Sequence, residues 1–75
     1  MEWEMIFEHK SGEWQGKRSL KLQSSAYSIT LLEEPDSPRV TIYPVGDGNT
    51  CLFHEKFDST DTAKAVAEQW LLDNR

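Results

Sequence analysis

Ser59-Thr60-Asp61-Thr62-Ala63-Lys64-Ala65-Val66-Ala67-Glu68-Gln69-Trp70-Leu71-Leu72-Asp73 is the one stretch of this sequence with a plain helical pattern. Ala63, Val66, Ala67, Trp70 and Leu71 fall at i, i+3, i+4, i+7 and i+8, which makes one continuous apolar stripe. Asp58 or Ser59 supplies a cap, and Asp61 sits in the first turn, where the helix dipole favours an acid. Lys64, Glu68 and Asp73 form an ordinary solvated face. Small residues at the start of the stripe and Trp70 with Leu71 near its end predict a helix that approaches a sheet closely and then anchors by bulk.

Everything before this helix reads as strands and turns. From Glu2 to His9 the residues alternate, with Trp3, Met5 and Phe7 on one face and Glu2, Glu4 and Glu8 on the other, interrupted only by Ile6. Lys10-Ser11-Gly12-Glu13 predicts a hairpin turn, because Gly12 can supply a positive φ. Leu20 and Leu22 then alternate on even positions, whereas Tyr27, Ile29 and Leu31 alternate on odd ones. The phase therefore slips across residues 23–26, through either a bulge in one long strand or a turn between two strands.

Two prolines exclude Glu34-Pro35-Asp36-Ser37-Pro38 from a strand interior. Arg39 to Tyr43 follows as a strand with Val40 and Ile42 on one face and Thr41 and Tyr43 on the other, ended by Pro44. Gly46-Asp47-Gly48-Asn49 is the strongest turn signal and leads into a strand from Thr50 to Phe57, with Cys51, Phe53 and Phe57 expected on one face. These elements predict one small α+β domain over residues 1–75, built as a four- or five-stranded antiparallel sheet with the C-terminal helix packed on one face. A small β-barrel with the helix plugging one end is the alternative.

The chain has 75 residues and a net charge of −5, which disfavours general binding to nucleic acid or to an anionic membrane. The charge is uneven. Residues 1–9 carry −3, residues 10–21 carry +3 and residues 22–75 carry −5. One cysteine excludes an internal disulfide and a Cys-rich zinc site, so a reducing, cytoplasmic location is expected. No apolar run reaches the ~18 residues of a membrane-spanning helix, and Met1-Glu2-Trp3-Glu4 does not resemble the start of a signal peptide.

Candidate chemistry is sparse, and an enzyme is the weakest reading. Cys51 and His54 are three apart, hence on opposite faces of a regular strand, and Cys51 is expected to be a small buried residue. His9 and His54 would share a metal site only if the first and last strands were neighbours, and no ligand-spacing motif supports one. Neither Gly12 nor Gly16 opens a helix, so no phosphate cradle is expected, nor any cofactor.

The leading expectation comes from geometry. One helix cannot cover both faces of such a sheet, and the uncovered face retains Ile6, Tyr43, Val45 and Leu52. Trp14 belongs to no apolar stripe and fits an interface contact. The sequence thus predicts a non-enzymatic protein-interaction module that binds a partner, or a second copy as a homodimer, through an open sheet face or edge strand.

Two alternatives stand beside it. Lys10, Lys17, Arg18 and Lys21 surround Trp14, the mixture of bases and an aromatic used on single-stranded nucleic acid. A four-strand-then-helix order also resembles the single-strand-binding repeats of the Pur and Whirly proteins, in architecture and not in motif. Alternatively, an acidic surface including Glu33, Glu34 and Asp36 could occupy the basic groove of a partner as an inhibitor.

Overall fold

Period-two alternation over the first three-quarters of the chain becomes strand, and the period-3.6 stripe becomes helix. The computed structural model describes residues 2–74. Its elements are β1 (Glu4–Glu8), a single 3-10 turn (Gly12–Trp14), β2 (Arg18–Gln23), β3 (Tyr27–Glu33), β4 (Pro38–Pro44), β5 (Phe53–Lys56) and α1 (Thr60–Asp73). The sheet order is β1-β2-β3-β4-β5, antiparallel throughout. No pairing joins β1 to β5, so the sheet is open and the barrel alternative is excluded.

Cross-strand register stacks the core in rows. Leu20, Leu31 and Val40 stand opposite one another across β2, β3 and β4, and Leu22, Ile29 and Ile42 form the next row, continued by Phe53 on β5. Ile29, Leu31, Val40 and Ile42 have no exposed surface, and neither do Ala63 and Ala67. The two alanine methyls let the helix backbone lie close over β3 and β4, the strands it packs against. Trp70 meets the Tyr27 ring edge-on at 4.9 Å, and the Tyr27 hydroxyl donates to the Asn74 carbonyl at 3.0 Å, which pins the end of the helix.

Of the two candidate caps, Ser59 is the one used: its Oγ accepts the Thr62 amide at 3.2 Å. Removing that acceptor by Ser59→Ala is expected to destabilise the fold by about 1 kcal/mol. A lowered urea midpoint with an unchanged slope would register the loss, and an unchanged midpoint would contradict the capping role.

Several local expectations change. Residues 23–26 form a turn and not a bulge: Ser24 accepts the Tyr27 amide on its Oγ at 3.0 Å and donates its own amide to the Tyr27 carbonyl at 2.9 Å. The bulge lies instead in β1. Met5 pairs with Leu20 and Phe7 with Ser19, so Ile6 is the extra residue and Met5 and Phe7 fall on opposite faces. The first connection is longer than a tight hairpin, closed by the His9 amide on the Lys17 carbonyl at 2.9 Å, with positive φ at both Gly12 and Gly16. Cys51 is exposed and not buried, because β5 starts only at Phe53 and leaves Cys51 in the preceding loop.

Candidate interaction surface

An α-helix with its side chains is about 10–12 Å across and strands lie about 4.8 Å apart, so one helix covers roughly two strands of the five. Here α1 sits over β3 and β4, which leaves β1 beyond its edge. The start of β1 is tied down: the Trp3 indole N–H donates to Glu68 Oε2 of α1 at 2.8 Å. After Trp3 the strand runs past the helix. Met5 faces the helix side through its pairing with Leu20, yet it is 51% exposed. Ile6 is 53% exposed, and Phe7, turned to the other face by the bulge, is 55% exposed. Three consecutive large apolar side chains thus stand on an unpaired sheet edge, between Glu4 and Glu8.

Trp14 joins this edge from the following loop. Its partly buried ring lies 5.1 Å from the His9 ring, which meets Phe7 edge-on at 4.8 Å. A row of three rings, Phe7, His9 and Trp14, therefore extends the apolar edge. The opposite edge differs in character. On β5, His54, Glu55 and Lys56 face solvent, while Phe53 and Phe57 stack at 6.4 Å and pack partly against the core.

The other expected interface residues do not join Ile6 in one patch. Val45 and Leu52 are exposed and Tyr43 is partly buried, but they lie at the β4–β5 end, with Tyr43 three strands, or about 14 Å, from β1. Between them the open face carries Ser19, Lys21, Ser28, Thr30 and Thr41 with the partly buried Leu32, a mostly polar centre. Sequence reasoning placed Met5 and Phe7 on one face; the structure turns them to opposite faces and exposes both. The signal for them was Ile6, whose break in the alternation marks the bulge.

Strand pleating also divides the basic zone. Arg18 faces the helix side, where Nε donates to Glu33 Oε1 at 2.7 Å and Nη2 to Oε2 at 3.1 Å. Lys21 faces the open side opposite Glu4, and Lys10 Nζ lies 4.0 Å from Glu8 Oε1. Lys10, Trp14, Lys17, Arg18 and Lys21 therefore make no single basic surface, since each of these three bases has an acid beside it.

The acids are equally occupied. Glu33 also accepts from Thr60 Oγ1 at 2.8 Å and from the Arg18 amide at 3.1 Å, and only 13% of its side chain is exposed. The hydrogen bond from Arg18, reinforced by the one from Thr60, holds its carboxyl below the usual value despite burial. Glu34, 10% exposed, contacts Arg39 and Lys56, and the exposed Asp36 lies 3.8 Å from Lys56 Nζ, so each of the three acids proposed for a basic groove has a base beside it.

A polar groove of about 410 Å³ beside this cluster is lined by Lys17, Arg18, Glu33, Asp36, Asp58 and Thr60. Within it Arg18 and Glu33 pair with one another. Among the described residues no three His, Cys, Asp or Glu side chains converge as metal ligands, and His9 and His54 lie at the two opposite edges of the sheet. No helix among them is long and apolar enough to cross a membrane.

The class these features define is a five-stranded antiparallel α+β protein with one apolar and one charged edge. Comparison with protein-family models, curated proteins and solved structures gives no match, so function rests on the chain's own residues.

Proposed function

We propose that this chain is a non-enzymatic, cytoplasmic protein-interaction module whose partner, another protein or a second copy, adds a strand along β1. The observation that carries the reading is Met5-Ile6-Phe7, three adjacent apolar side chains each more than half exposed on an edge strand. Unpaired edge N–H and C=O groups supply affinity by main-chain hydrogen bonding, and side chains on alternate faces supply selectivity. Trp14 supports the reading as a rigid anchor at the end of the edge. The exposed Cys51 thiol suits a reducing compartment.

A selection of random extended peptides against the full chain tests it. Selected peptides are expected to lose about tenfold or more in affinity against Phe7→Lys, an exposed position whose change leaves the fold intact, and none against Leu52→Lys. Equal binding to both variants, or a selection that yields no binder, would sink the proposal.

A further inference from the structure

Among the described residues, the buried core is drawn from β2, β3, β4 and α1 alone. The contacts that lock those elements together also lie outside β1: the cluster of Arg18, Glu33 and Thr60, the Ser59 cap, and Tyr27 against Trp70 and Asn74. Glu8 stands opposite Arg18, but that guanidinium is committed to Glu33. Met5, Ile6 and Phe7 are each more than half exposed, and the bulge at Ile6 interrupts the ladder that carries the strand. The row of Phe7, His9 and Trp14 joins residues of β1 to the loop that follows it. Beyond the ladder, the contact that reaches across the fold is Trp3, packed partly against the core with its indole N–H on Glu68. The other edge is fastened differently. Only residues 57–59 separate β5 from α1, and Phe53 and Phe57 pack partly on the core from either end of it, so β5 cannot leave without disturbing the helix.

Elements with few buried apolar contacts open locally at a lower free energy than the whole fold. We infer that β1 is a strap: it opens as one unit, with residues 9–17 as its hinge and the Trp3–Glu68 bond as its latch, while β2 to β5 and α1 stay folded. Four paired strands under a helix retain the whole buried core and are enough for a stable sheet. Gly12 and Gly16, both at positive φ, give the hinge two positions where the backbone can reorient at low cost. Opening bares the outer edge of β2 beside Leu20, which Met5 flanks when the strap is closed. The strap is a property of the free chain and stands whether or not a partner adds to β1.

Native-state hydrogen exchange on the full chain, with urea varied below the unfolding transition, tests this. The β1 amides bonded to β2 are expected to share one opening equilibrium, to exchange about a hundredfold faster than the β3 amides bonded to β4, and to show a weak but finite urea dependence. Ile42→Val, a change at a fully buried residue three strands from β1, should speed the β3 and β4 amides about fivefold and leave β1 unchanged, because the open strap keeps Ile42 packed. Glu68→Ala, which removes the acceptor of the Trp3 indole, should speed the β1 amides by about fivefold. Exchange of β1 as slow as that of β3, or an equal response of both to Ile42→Val, would show that β1 opens only with the whole fold and would overturn the strap. Separate rates along β1 without urea dependence would mean fraying and would overturn the single unit. Unchanged β1 exchange in Glu68→Ala would overturn the latch.

Discussion

Leu31→Ala is expected to destabilise the protein by about 3 kcal/mol, near the middle of the range for truncating a buried leucine. Leu31 has no exposed surface and stands between Leu20 and Val40 in the central row of the core. Strands hold it on both sides and α1 lies above, so the cavity left by the lost methyl groups has little freedom to collapse. A domain of this length is stable by roughly 4–11 kcal/mol, so the loss takes a large share of the total. The thermal midpoint should fall by about 10–25 °C. Calorimetry on the wild type and the variant measures this directly. A shift of only a few degrees would mean that β3 is less confined than its burial indicates. Met5→Ala, by contrast, removes a side chain that is already half in water and should hardly move the midpoint.

The contrast between Leu31 and Met5 marks how far the sequence could be read. Both sit on apolar alternations. Burial of Leu31 followed from the pattern because β3 has a paired strand on either side, where any covering element would reach it. Burial of Met5 depended on where the helix sits across the sheet, and the Ala63, Ala67 pattern tells that the helix approaches closely without telling over which strands. The helix itself, its cap and the central strands were legible because each is a local pattern. Phe7 was misplaced because a bulge adds one residue and reverses every later face, and a bulge depends on the partner strand as much as on its own sequence.

Arg18 and Lys21 show a different limit. Three residues apart on one strand, they point to opposite faces, so their closeness in sequence described a charge block and not a surface. Cys51 was misjudged by a strand boundary: the expected strand began at Thr50, whereas the ladder begins at Phe53. The β1 edge emerged only once sheet order, bulge and helix position were combined.

The second large effect is expected at Glu33, and it depends on pH. Its carboxylate accepts four hydrogen bonds, three from Arg18 and one from Thr60 at the start of α1, so it joins β2, β3 and the helix. Arg18 first, and then Thr60, hold the carboxyl below its ordinary value of 4.5, and the same contact raises the Arg18 guanidinium. A folded-state value below the unfolded one means that the stabilisation is fully present above about pH 4.5 and is lost as pH falls through the folded-state value. Glu33→Gln keeps an acceptor for Thr60 but removes the charge that Arg18 requires. It should cost about 2 kcal/mol at neutral pH, the scale of a hydrogen bond to a charged group, moderated by the partial exposure of Arg18. In acid, once pH falls through the folded-state value, the wild-type carboxyl takes up its proton and the gap between the two proteins should narrow. Urea unfolding at neutral and at acid pH, repeated with Arg18→Met and with the double variant, separates the pair from the rest of the cluster. If the gap stayed constant with pH, the acid dependence would lie elsewhere, for example at Asp47, whose carboxyl is lowered by the Thr50 hydroxyl and then the Asn49 amide. If instead the gap narrows and the Arg18 and Glu33 losses fail to add, one ion pair at the helix start sets the acid stability of the whole sheet.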